Sequence, residues 1–308
     1  MSHRSLLILP ALLLFCSCNQ WQEEQVVSHS VNSISFCISD FQIQEENAST
    51  RTTIGSDGSF FWAAGDTVGI YPNTGGQVYF ELADGAGASS AQFDGGGWDF
   101  KGNATYYSYY PFIGDIYLNR RRIPVSYLGQ KQTGTEAVDH IGPFDYMYTP
   151  GATQESGHVS FRYHHLSCIL RLRIQLPAGT YSKLAVTAPE DLFTSKGFYD
   201  LMSENPTIIP TEYTNQLIMD LEDITVDDQQ EFMVYLVSAP VNLEGVEITI
   251  SVLNENKTEL QCKKTPSREY LAENIYPLGC VTWTEVPQSM NMIIIDWEDG
   301  GNIIGDAE

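Results

Sequence analysis

Positive charge is scarce in this chain. Lys and Arg total 16 against 39 Asp and Glu, a formal net charge of −23 at pH 7. Affinity for phosphate backbones and anionic lipid surfaces rests on clustered cations, so nucleic acid is excluded as a partner. The one basic cluster, Asn119-Arg120-Arg121-Arg122, lies between strand-like segments and reads as a solvated loop. Long apolar runs are missing as well. The run from Leu6 to Phe15 is about ten residues, whereas a helix needs roughly 20 to cross a bilayer. Catalytic signatures are missing too. There is no Gly-x-Ser-x-Gly elbow, no phosphate loop and no His-Glu-x-x-His motif, and no cysteines stand at Cys-x-x-Cys spacing. The chain therefore reads as a non-enzyme with no metal site and no cofactor.

What is present begins at the N-terminus. Arg4, the short apolar run and then Ser17-Cys18 make a secretory signal ending in a lipobox, because lipoprotein signal peptidase needs a small residue before the cysteine that is acylated. Residues 1–17 are expected to be cut away, leaving Cys18 as the lipid-attachment site. Residues 18–32 are polar and acidic, and suit a tether between lipid and folded protein.

The rest of the chain is rich in apolar residues, 43% overall with 12% aromatic, enough for packed cores. Helix-period stripes are nearly absent. Period-2 alternation recurs instead in short runs bounded by Gly, Pro, Asn and Asp, which predicts an all-β protein. The clearest strand is Cys168 to Leu176, with Cys168, Leu170, Leu172, Ile174 and Leu176 facing a core while Arg171 and Arg173 face water. Upstream, Val159, Phe161 and Tyr163 alternate in the opposite phase, which a bulge or short break near His164 to Leu166 would reconcile. The length suits two antiparallel β-sandwiches in tandem. Their junction is placed near the polar, Gly/Pro-punctuated stretch Pro150 to Gly157, giving units 33–157 and 158–308.

Cys37, Cys168, Cys262 and Cys280 could pair in three ways, but three of them alternate with apolar residues, and they are read as buried free thiols. Adjacent strand residues point to opposite faces, so His164 and His165 cannot jointly hold a metal, and His165 is assigned to packing at a strand junction. The acidic stretches Asp220 to Asp228 and Asp296 to Asp306 lack the ligand spacing of a calcium loop and read as solvated turns. Tyr106 to Phe112 reads as core rather than a sugar-stacking platform. Asp66-Thr67-Val68 matches a short O-glycosylation acceptor sequence.

Thr50-Arg51-Thr52-Thr53, followed by Phe61-Trp62-Ala63-Ala64-Gly65-Asp66-Thr67-Val68-Gly69-Ile70-Tyr71, resembles the fimbrillin family of Bacteroidetes surface proteins. Tyr106 to Phe112, the turn Gln130-Lys131-Gln132, Tyr146 to Tyr148, Val159 to Phe161 with His165, Ile275 to Leu278 and Asp296 to Gly301 fall in the same order. The resemblance implies two tandem transthyretin-like, Greek-key β-sandwich domains. It also implies a fimbrial subunit or fimbria-associated adhesin, displayed as a lipoprotein on the outer membrane and polymerised with other fimbrial subunits. Glu23-Glu24, soon after Cys18, looks like the acidic surface-export signal of such lipoproteins.

Related subunits polymerise after an arginine-specific protease removes the first strand and a neighbour's terminal strand fills the groove. By that resemblance, Arg51 and Thr52 flank the cut, and Ile34, Phe36, Ile38, Phe41 and Ile43 belong to the displaced strand, although Asp40 interrupts its apolar face. Withdrawing four to five inward apolar side chains forfeits on the order of 6 to 15 kcal/mol, comparable with the roughly 5 to 15 kcal/mol stability of a domain. A replacement strand restores that loss by β-augmentation. Met290, Met292 and Ile294 on one face, with Ile293, Ile295 and Trp297 on the other, either form the donated strand or complete the chain's own C-terminal sandwich. The other functional reading is a monomeric surface lipoprotein that binds a host or bacterial glycan through aromatic residues such as Trp98 and Tyr107.

Overall fold

The computed structural model describes residues 33–43, 60–101, 103–115, 117–153, 155, 158–280 and 282–286. Residues 1–17, the tether 18–32, Cys18, Arg51, Thr52 and the run Met290, Met292, Ile293, Ile294, Ile295 and Trp297 lie outside the described residues.

The chain is all-β. Its earlier strands are β1 (Ser33–Ile38), β2 (Gln42–Ile43), β3 (Thr67–Pro72), β4 (Val78–Asp84), β5 (Ser90–Asp94), β6 (Thr105–Tyr110), β7 (Ile123–Ser126), β8 (Gln130–Gln132), β9 (Met147–Tyr148), β10 (Ala152–Thr153) and β11 (His158–His165). There follow β12 (Cys168–Gln175), β13 (Gly179–Thr187), β14 (Phe193–Tyr199), β15 (Ile209–Thr214), β16 (Gln216–Val226), β17 (Glu231–Ser238), β18 (Val241–Asn242), β19 (Ile248–Asn254), β20 (Glu259–Lys264), β21 (Glu269–Tyr270), β22 (Asn274–Cys280) and β23 (Thr284–Val286). Among the described residues, no helix is long and apolar enough to cross a membrane.

The N-terminal sheet closes on itself, where an open sandwich was expected. Strands β3, β4, β5, β1, β11 and β9 run edge to edge, and β6 bonds both β9 and β3. Closure removes the exposed strand edges that an open sheet would present. Aromatic rings fill the interior: Phe36, Trp62, Phe80, Phe93, Phe100, Tyr106, Tyr110, Phe161 and Tyr163 are all buried in one cluster. Trp62 meets Phe93 and Tyr163 edge-on, at 4.8 and 5.3 Å between centroids, an arrangement favoured by the ring quadrupoles.

The C-terminal half is a sandwich. The sheet β17-β12-β22-β2 faces the sheet β23-β20-β19-β13-β16-β8. Its core is mainly aliphatic. Leu170, Leu172 and Ile174 of β12 share it with Leu184, Val186, Met219, Ile250 and Val252. Arg171 and Arg173 leave β12 on its other face, the latter paired with Glu231 at 2.5 Å. One expectation is corrected here: Cys262 of β20 and Cys280 of β22 are not free thiols but a disulfide joining the two sheets. Cys37 and Cys168 are free. Burial pushes the Cys168 thiol up to about 12, so it stays protonated and inert.

Three further expectations are revised. Strand β11, assigned to the second unit, is hydrogen-bonded into the N-terminal ring between β1 and β9. The change of phase between Tyr163 and Cys168 is therefore the short break rather than the bulge: the chain crosses from ring to sandwich at Leu166-Ser167. Gln130-Lys131-Gln132 is a strand, parallel to β16, rather than a turn. The first part of the Asp220 to Asp228 stretch is likewise strand, with Ile224 and Val226 buried in the sandwich core.

Ring and sandwich are interlaced. Strands β2, β7 and β8 precede the crossing yet pair with β22, β14 and β16 beyond it. A second buried cluster seals the junction, bringing Phe41, Tyr109, Val125 and Tyr146 against Ile169, Tyr235, Val237 and Ile275.

Candidate functional site

The N-terminal segment, residues 33–43, is held by both parts of the molecule. Strand β1 lies between β11, with which it pairs in parallel over its whole length, and β5, with which it pairs antiparallel at Phe36 and Cys37. Phe36 is fully buried, its ring 4.7 Å from Phe93 and 5.1 Å from Phe161. Ile38 is buried and Ile34 half-buried against the same cluster, while Ser35 faces outward and donates to Ser160.

The alternation breaks at Ser39 and the exposed Asp40, and the segment then changes partner. Phe41 is buried in the junction cluster, with Ile43 half-buried beside it. Strand β2 pairs in parallel with β22, setting Gln42 opposite Asn274 and Ile43 opposite Ile275. The Ser39 amide donates to the Tyr163 carbonyl at 2.9 Å and the Gln42 amide to the Glu273 carbonyl at 2.7 Å. Phe36, Ile38 and Phe41 alone bring about 5 to 9 kcal/mol of apolar burial, at roughly 1.5 to 3 each.

A buried polar pair grips this segment where it changes partner. His165, at the end of β11, donates from Nε2 to the Ser39 carbonyl at 2.7 Å, and its Nδ1 lies 2.7 Å from Asp145 Oδ2. Both side chains are fully buried. The Phe41 ring stacks on the imidazole at 3.8 Å, and Phe60 meets it edge-on at 5.5 Å. Burial alone would lower the His165 pKa. The Asp145 charge and hydrogen bond, the Ser39 carbonyl and Glu273 outweigh it, and the net direction is up. His164 leaves the strand on the other side, half-exposed and 3.0 Å from Glu273.

The remaining candidate residues are engaged locally. Tyr106, Tyr109 and Tyr110 are buried, and Tyr107 is half-buried against the junction cluster. Trp98 is half-buried, its ring edge-on to Phe80, Phe100 and Tyr106. Asp66 accepts from the Ala63 amide at 2.7 Å and from the Tyr110 hydroxyl at 2.8 Å, so the carboxylate beside Thr67 is committed to the fold. Burial raises the Asp66 pKa against the pull of those two bonds. Arg120 donates to the Pro72 carbonyl, Arg121 pairs with Asp200, and Arg122 lies 3.7 Å over the Phe198 ring. No group of three or more His, Cys, Asp or Glu among the described residues is placed to hold a metal ion.

The strand edges carry a feature that the sequence pattern concealed. Gln130 donates to the Val237 carbonyl at 2.7 Å and accepts from the Val237 amide at 2.8 Å. Gln132 does the same for the Met233 carbonyl and the Tyr235 amide, at 2.7 and 3.2 Å. These two buried amides stand in for a neighbouring strand along the outer edge of β17.

No protein-family model and no curated protein matches the chain. Solved structures do. A protein of Bacteroides uniformis provisionally assigned to cell adhesion matches at TM-score 0.52 and 14% identity, over 73% of this chain and 92% of its own. A second such protein, from Bacteroides ovatus, matches at TM-score 0.50 and 14% identity, over 82% and 95%. The tip fimbrial protein of Porphyromonas gingivalis aligns over 82% and 98% at TM-score 0.37 and 9% identity. The chain thus shares its fold with two Bacteroides proteins provisionally assigned to cell adhesion.

Proposed function

We propose that the chain is a fimbrial structural subunit or fimbria-associated adhesin, exported to the outer membrane as a lipoprotein acylated at Cys18 and assembled by donor-strand exchange. The observation that carries this reading is the N-terminal segment. It buries Phe36 and Ile38 in the ring and Phe41 at the junction, and Arg51 stands in sequence between it and β3. A cut after Arg51 would leave it held by non-covalent contacts alone, and a strand of matching apolar pattern could then take its place. Met290, Met292, Ile293, Ile294, Ile295 and Trp297 are the donor candidates. The likeness to proteins assigned to adhesion supports the same reading, and two units dividing at Leu166-Ser167 fit it. The sheet orders β17-β12-β22 and β16-β13-β19-β20 support a transthyretin-like Greek-key sandwich for the second unit.

Treating the purified full chain with an arginine-specific protease tests this. The expected result is a new N-terminus at Thr52 together with multimers that resist mild detergent. Uncut monomer throughout would refute it.

A further inference from the structure

The contacts of His165 restrict its protonation. A backbone carbonyl only accepts, so the 2.7 Å contact with Ser39 fixes a proton on Nε2. Nδ1 faces a carboxylate oxygen at the same distance. Either the imidazolium faces ionised Asp145, or neutral His165 accepts from a protonated Asp145. In both cases one proton sits between Nδ1 and Oδ2. Removing it sets a lone pair against a carboxylate, or an unprotonated Nε2 against the Ser39 carbonyl. The pair then loses one of its two hydrogen bonds in a site closed to water.

We propose that Asp145 and His165 form a pH-sensitive latch that holds residues 33–43 in place and loosens them when the shared proton is lost. The contacts are those that fix the segment: the carbonyl of Ser39, where β1 ends, and the ring of Phe41, which starts the passage to β22. The latch regulates assembly only if the proposed strand replacement occurs, but its grip on the segment does not depend on that reading.

The groups facing the pair fix the sign. Asp145 comes from the turn after Gly142–Phe144 and Glu273 from the turn before β22, and both negative charges favour the protonated imidazole. The Tyr110 and Tyr127 hydroxyls feel the Asp145 charge, but burial raises both well above the ordinary tyrosine range, so they remain neutral. Phe41 and Phe60 cover His165 and carry no charge. A histidine whose folded pKa is raised stabilises fully below its unfolded value, near 6.5, and loses that contribution as pH rises through the folded value. The latch is therefore closed in weak acid and opens on the alkaline side.

Amide hydrogen exchange on the uncut full chain, corrected for the intrinsic rate, reads this directly. Between pH 6.5 and 9.5 the protection of the Ser39 and Gln42 amides should fall about ten- to a hundredfold, the loss expected from one charge-assisted hydrogen bond. The Ile169 to Ile174 amides of β12 should hold. Asp145→Asn should abolish the dependence without losing the grip, because an amide can donate to Nδ1 while neutral His165 keeps its Nε2 proton for Ser39. His164→Gln should leave the dependence intact. A flat wild-type profile, a parallel fall in β12, or an undiminished slope in Asp145→Asn would each overturn the latch. The wild-type profile decides the matter even if the variant does not fold. Because the chain is uncut, failure of the latch is distinguishable from failure of strand exchange, which is read after cleavage.

Discussion

The ring and the sandwich secure their strand edges by different means. The sandwich is closed by its own covalent structure and by neighbouring side chains. A disulfide ties β20 to β22, and the Gln130 and Gln132 amides cover the outer edge of β17. The ring is closed by β1, whose parallel partner β11 lies more than a hundred residues away in sequence. The difference shows how much more the ring depends on residues 33–43 than the sandwich does. Extracting β1 would reopen the ring at β5 and β11, whereas the sandwich would lose only the two-residue pairing of β2.

Substitutions can break this contrast. The largest effect is expected from Phe36→Ala, which should cost about 3 to 5 kcal/mol, the range for a buried phenylalanine. The loss should appear in the ring, seen as faster amide exchange along β11, while exchange at β12 stays slow. Equal loosening of both parts would mean that they are not separable. Next is the double replacement Cys262→Ser with Cys280→Ser. Opening a cross-link 18 residues apart should cost about 3 kcal/mol, and the loss should be confined to the sandwich, visible in the exchange of β19 and β20. Gln130→Leu should cost about 1 to 3 kcal/mol, because it leaves the Val237 amide and carbonyl buried without their partner. Faster exchange at Val237 would locate the damage. Tyr213→Ser, at a side chain 57% exposed on β15, should change stability by less than about 0.5 kcal/mol.

Alternation told which side chains are buried but not which sheet takes each strand. In β12, Cys168, Leu170, Leu172 and Ile174 enter the core as their period requires, and Tyr106, Tyr109 and Tyr110 are core residues. The opposite phase of Val159, Phe161 and Tyr163 was equally plain, yet a phase change looks the same whether a strand bulges or the chain moves to another sheet. Long-range pairing decides between these, and periodicity does not carry it. The same gap hid the Cys262–Cys280 bond, since 18 residues apart in sequence says nothing about facing positions on two sheets. Gln130 and Gln132 resembled turn residues because their amides satisfy backbone groups more than a hundred positions away. His165 left one trace: it falls in the inward phase of Val159, Phe161 and Tyr163, where a polar side chain needs a buried partner. Nothing in the sequence pointed to Asp145 as that partner.

The native mass of the full chain after cleavage at Arg51 tests the central claim most directly. Strand exchange predicts that the fragment ending at Arg51 is lost as copies join, giving masses that are multiples of the chain beginning at Thr52. A nicked monomer that retains its N-terminal fragment indefinitely at high protein concentration would contradict it.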